Sequence, residues 1–143
     1  MIEKLRFITS IILGIAFLKI GIDHFLDPEW FEPIVPGILG FPRFWVLASG
    51  AVEIIIGIML IFPMTQKIGG KSCAILLIIL YWANLNMWIN DIPIGGQSFE
   101  GKWHLLRLFI QLLLISIALF IGEIIPRRDD SDEDIALIVR KTD

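Results

Sequence analysis

The chain has 143 residues, 56% of them apolar and 19% charged, with a net charge of −3 and a mean hydropathy of +0.78. Soluble domains hold about 45–50% apolar and about 25% charged residues, so this composition argues against a disordered chain and against a small water-soluble enzyme. The acidic balance argues against nucleic-acid binding, which leaves a basic footprint, and the single cysteine, Cys73, excludes an internal disulfide, a two-thiol exchanger and a four-cysteine metal site.

A membrane helix needs about 20 mostly apolar residues, and four segments qualify. The first spans residues 5–26. It starts basic like a secretion signal, but Lys19 interrupts it, and it reads as a membrane span. Residues 27–43 follow, with Pro28, Pro33, Pro36 and Pro42, which forbid a long helix. Trp30, Phe31 and Phe41 sit there beside Asp27, Glu29 and Glu32, a mixture suited to a bilayer interface and to a short lid across the bundle. The second span is 44–62, bounded by Pro42 and Pro63, and the third is 68–89. Residues 90–102 contain Gly95-Gly96 and read as a flexible turn. The fourth span, 103–125, is closed by Pro126. Residues 1–126 thus form one four-helix transmembrane domain, and 127–143 a charged tail that begins Arg-Arg-Asp-Asp-Ser-Asp-Glu-Asp.

Loop charges set the orientation. Lys4, Arg6, Lys67, Lys71, Arg127, Arg128, Arg140 and Lys141 fall on one side, but only Arg43 and Lys102 on the other. The expected architecture is therefore an all-α, antiparallel four-helix bundle in the membrane. Both termini and the tail are cytoplasmic, and the proline- and aromatic-rich loop faces outward.

Ionisable groups inside hydrocarbon are expensive unless paired or hydrated, so each is a functional candidate. They are Lys19, Asp23 and His24 on the first span, Glu53 on the second, and His104, Arg107 and Gln111 on the fourth, with the amides Asn84 and Asn86 on the third. With the expected orientation, Glu53 lies near the midplane and the others in the outer halves, which points to one polar pocket open to the outside. Spacing supports convergence. Lys19 and Asp23 are i, i+4 neighbours. His104, Arg107 and Gln111 form one stripe, Tyr81, Asn84 and Trp88 another, and Ser49, Glu53 and Gly57 a third whose small residues admit a close neighbouring helix. Arg107 with Glu53 is the expected buried pair, because a guanidinium grips a carboxylate with two hydrogen bonds. Trp30, Trp45, Trp88 and Trp103 read as an interfacial belt or as a stacking wall for a flat ligand. His24 and His104 lack a metal-ligand spacing, so no metal is assigned.

The pattern Gly21-x-x-His24-Phe25-x-x-Pro28-x-x-Phe31, leading into Ile34-Val35-Pro36, is followed by Ser49-Gly50-x-x-Glu53-x-x-x-Gly57, then Asn84-x-x-Met87 and Arg107-Leu108-x-x-Gln111. It resembles the DoxX-like family of small four-span bacterial membrane proteins, from roughly Gly14 to Ala118. The resemblance implies a four-helix bundle in the bacterial inner membrane. Through the subunit of a thiosulfate:quinone oxidoreductase that names the family, it also implies a redox link and a quinone. His24, Glu53, Asn84, Arg107 and Gln111 carry over as motif positions; Lys19 and Asp23 do not match the pattern.

Three functions compete. A redox-linked accessory subunit would bind a quinone or lipid-like ligand in the polar pocket, formed by His24, Glu53, Asn84, Arg107, Gln111, Lys19 and Asp23. A non-catalytic scaffold would use the same charges for architecture and engage a protein partner or a second copy, as the apparent lack of a catalytic nucleophile suggests. A small proton-coupled transporter would use Glu53 as its carboxylate.

Overall fold

The computed structural model describes residues 1–124; the expected tail, and with it the boundary of the transmembrane domain, lies outside the described residues. The chain order is α1 (Ile2–Leu26), a single-turn α2 (Pro28–Phe31), two 3₁₀ turns (Glu32–Ile34 and Gly37–Leu39), α3 (Pro42–Ile61), α4 (Gln66–Ile89) and α5 (Gly101–Ile121). All of these elements are helical. Four helices, α1, α3, α4 and α5, are long and apolar enough to cross a membrane, as expected for a multi-pass membrane protein.

Proline sets several of the boundaries. Pro28 and Pro42 occupy the first positions of α2 and α3, where the missing N–H costs nothing. Phe62 is extended ahead of Pro63, the conformation that a following proline imposes. Thr65 then donates its hydroxyl to the carbonyls of Met59, at 2.8 Å, and Phe62, at 3.1 Å, and so covers acceptors left over at the end of α3.

The fourth span ends sooner than the sequence suggests, at Ile121 rather than 125. Glu123 takes a left-handed conformation, with φ 60°. The N–H groups of Ile124 and Glu123 turn back to the carbonyls of Leu119 and Phe120, a Schellman ending that stops the helix before the next apolar residues. Between α4 and α5, Ile94 and Gln97 exchange backbone hydrogen bonds around Gly95-Gly96, both at positive φ. The expected flexible turn is a small closed hairpin.

The closest pairings are α1 with α3 and α4 with α5; α3 meets α4 less extensively, and α1 meets α5 less still. Leu13, Phe17, Ile56, Leu60, Cys73, Leu77, Ala118 and Ile121 form the buried core, where Cys73 packs as a small apolar residue. Large apolar side chains such as Ile12, Ile15, Ile75, Ile78, Phe109 and Leu113 point outward. A water-soluble helix would place polar groups there; here the outer faces suit a bilayer.

The two ends of the bundle differ. At the end holding the α3–α4 turn, Arg6 donates to the Phe120 carbonyl at 3.0 Å and pairs with Glu123, which also pairs with Lys67 at 2.8 Å. The other end carries the 27–41 segment and the 90–100 connection, and the candidate polar residues gather in that half.

Candidate functional site

The local geometry begins with glycine. Gly14 lies against Gly57, and Gly21 against Gly50; a Cβ on Gly21 would stand 2.7 Å from the Gly50 carbonyl oxygen, and one on Gly50 2.6 Å from the His24 Cβ. The missing side chains let α1 and α3 touch backbone to backbone. Side chains on a helix lean toward its own N-terminus. His24 sits three residues after Gly21 and Glu53 three after Gly50, so each leans back toward the glycine crossing, and there they meet. His24 Nδ1 lies 3.1 Å from Glu53 Oε2, with the two side chains 10% and 6% exposed.

That contact is close but not aligned as a hydrogen bond. His24 Nδ1 also lies 2.8 Å from the Ile20 carbonyl, one turn earlier. One ring proton can point at only one of them. With the proton on Nδ1, the carbonyl takes it, and Glu53 Oε2 is left buried without a hydrogen-bond partner. The His24 ring is further fixed by stacking on Phe31, with centroids 3.9 Å apart.

His24 also lines a cavity of about 460 Å³ at this end of the molecule. Phe31, Ile34, Val35, Pro36 and Leu39 cover it from the segment between α1 and α3, Trp45, Val46 and Ser49 line it from α3, and Ile79, Leu80, Trp82, Ala83 and Asn84 from α4. The volume lies within the roughly 300–1,000 Å³ of small-molecule sites, and the composition, mostly apolar and aromatic with a few polar groups, is theirs as well. The proline-rich segment does cross part of the bundle as a strap. Asn86 Nδ2 donates to the Ile34 carbonyl at 3.0 Å, and Trp45 Nε1 to the Leu39 carbonyl at 3.3 Å.

The structure brings together His24, Glu53 and Asn84: two in the cavity wall and one directly behind it. It separates the rest. The expected Arg107–Glu53 pair does not form. Arg107 stacks on Phe99, 4.2 Å from the ring centroid, and its Nη1 approaches Met87 Sδ at 3.6 Å. Gln111 is buried and donates to the Leu77 carbonyl. His104, on the same stripe, stacks on Trp88 with centroids 5.6 Å apart. The stripe exists as expected, but α5 packs chiefly on α4, so it fills that seam instead of reaching α3. Lys19 and Asp23 do pair, though on the outward face of α1, with side chains 73% and 37% exposed; neither lines the cavity.

Residues that sequence reasoning did not place in the site include Phe31 and Trp82, whereas Asn86, a sequence candidate, fastens the strap instead of lining the cavity. Phe31 falls in the His-Phe-x-x-Pro-x-x-Phe run, which was its signal. Trp45 supports the stacking-wall reading, whereas Trp88 belongs to the His104 contact.

Residues 13–122 match a family model described as "Domain of unknown function (DUF8561)". No curated protein and no solved structure matches the chain.

Proposed function

For this chain, which belongs to the DUF8561 family, we propose a redox-linked accessory role: a DoxX-like bundle that holds a quinone or lipid-like molecule. In this reading the bundle is antiparallel and sits in the bacterial inner membrane, with both termini cytoplasmic and the cavity in its outer half. The observation that supports it best is the cavity between α3 and α4, walled by Phe31, Trp45 and Trp82 and reached by His24. Aromatic walls suit a flat ring, and one or two polar groups fix its orientation.

The chain's own residues do the following. His24 presents its ring to the cavity, held by Phe31 and the Ile20 carbonyl. Asn84 offers an amide that donates and accepts. Glu53, directly behind His24, gives a proton somewhere to go when His24 exchanges one with a ligand oxygen. A bound quinone would supply the paired electron and proton exchange.

Native mass spectrometry of the protein released from nanodiscs, followed by solvent extraction, tests this. A quinone or specific lipid should stay with the wild type and fall by at least about tenfold in His24→Ala, about 1.4 kcal/mol of binding. Retention of the same molecule by His24→Ala and Asn84→Leu would refute the site.

One observation favours a second reading, the scaffold. The Lys19–Asp23 pair faces outward on a membrane helix, where lipid offers charges little and a neighbouring chain could cover them. A stoichiometric partner or dimer that is lost in the Lys19→Leu/Asp23→Leu double variant, with nothing extracted from the cavity, would make this reading the better one.

A further inference from the structure

The cavity has two kinds of wall. Trp45, Ile79 and Trp82 line it and yet are 42%, 60% and 51% exposed. Its edge along α3 and α4 is therefore continuous with the outward, lipid-suited surface of the bundle. The strap side differs. There Pro36 is buried, and the hydrogen bonds from Asn86 to Ile34 and from Trp45 to Leu39 pin the segment down. The gap between α3 and α4 has no such fastening.

The polar inventory of the lining is equally uneven. Beside the indole N–H groups of Trp45 and Trp82, His24, Ser49 and Asn84 contribute; no Lys, Arg, Asp or Glu does. Ser49 spends its hydroxyl proton on the Val46 carbonyl at 3.0 Å and so faces a ligand as an acceptor. Glu53 is buried behind His24, and Arg107 is engaged with Phe99 and Met87 on the α4–α5 side. A phosphate or carboxylate head group would lose its water there without meeting a cation, a large cost. A carbonyl or hydroxyl on a ring needs only one or two hydrogen bonds.

We infer that the cavity selects an uncharged ring head group carried on an apolar tail, and that this molecule enters sideways from the bilayer between α3 and α4, not through the strap from water. The inference rests on the ligand-binding reading above and narrows it, since phospholipids are excluded as the cognate occupant. The tail lies along Ile79 and Trp82 toward the lipid, while the head reaches His24.

The test uses the full chain in nanodiscs and a benzoquinone with a decyl tail as probe, followed by quenching of tryptophan fluorescence in stopped flow. Ala83→Phe narrows the gap. It should slow association and dissociation together by about tenfold while moving the affinity by less than about threefold, because a portal changes rates and not end states. Asn86→Leu frees the strap and should leave both rates within about twofold. Faster binding in Asn86→Leu with unchanged rates in Ala83→Phe overturns the lateral route. Displacement of the probe by added phosphatidylglycerol, with phospholipid recovered on extraction, overturns the uncharged head group. A wild type that the probe never quenches removes the ligand-binding reading itself, and this inference with it. Should Ala83→Phe fail to fold, a nitroxide on Ala83→Cys reports instead. Collisions with oxygen exceeding those with a water-soluble nickel chelate support a bilayer-facing gap, and the reverse overturns it.

Discussion

Along the seam of α1 and α3, glycine meets backbone at two levels, Gly14 with Gly57 and Gly21 with Gly50. Along the seam of α3 and α4 it does so at one end, where a Cβ on Gly69 would lie 3.1 Å from Leu60 N. Toward the opposite end Trp45, Val46 and Ser49 face Ile79, Leu80 and Ala83 across a cavity. Both seams join long apolar helices of similar composition. In a bilayer, where lipid is as apolar as leucine, close approach depends on small residues. The first seam is closed throughout and the second is a wedge because of where the glycines stand.

The sharpest way to break this contrast is to fill the closed seam. Gly50→Leu should cost about 3 kcal/mol or more by overpacking and abolish the His24–Glu53 contact, read as a lowered melting temperature in nanodiscs. His24→Leu should cost about 2 kcal/mol, within the ordinary range for a buried substitution, because it removes the ring stacked on Phe31 and the polar group beside Glu53. The double variant His24→Leu/Glu53→Leu should lose less than the sum of the singles, a coupling that a thermodynamic cycle measures directly. Gly69→Ala should cost about 1 kcal/mol, an ordinary single-substitution effect, because the new methyl presses on Leu60 and Met59 at the narrow end of the wedge. Gln111→Leu should cost about 0.6 kcal/mol, the typical worth of an interhelical hydrogen bond in a membrane, and leave probe binding unchanged. Gly37→Ala, where a Cβ meets nothing within 4 Å, should stay within about 0.5 kcal/mol of wild type.

Much of the fold was legible because its signal is one-dimensional. Apolar runs of membrane length, ended by Pro28, Pro42 and Pro63, put the first three spans within three residues of α1, α3 and α4. The fourth overran because the apolar pair Ile124-Ile125 follows the turn. A backbone turn at Glu123 ended it, and Gly122-Glu123 was the short cue for it in the sequence. The site was legible in part. His24, Glu53 and Asn84 were all named as candidates, and the expectation that Ser49, Glu53 and Gly57 face a close neighbour holds for the helix crossing at Gly50 and Gly57. The partner of Glu53 was not legible. Choosing Arg107 assumed that the carboxylate and the guanidinium share a seam, and sequence spacing does not say which helices are neighbours. Glycines three residues before His24 and before Glu53 were the available clue, since they bring two backbones together and aim both side chains at the crossing.

The wedge between α3 and α4 also makes a lever. Gly69 stands at its narrow end, and Trp82, thirteen residues farther along α4, lies about 20 Å away at 1.5 Å per residue. A tilt of about 5° at the narrow end would shift Trp82 by about 2 Å over that length, enough to pinch or widen the gap between the two helices. The bore of the cavity is therefore governed from a point that touches nothing inside it.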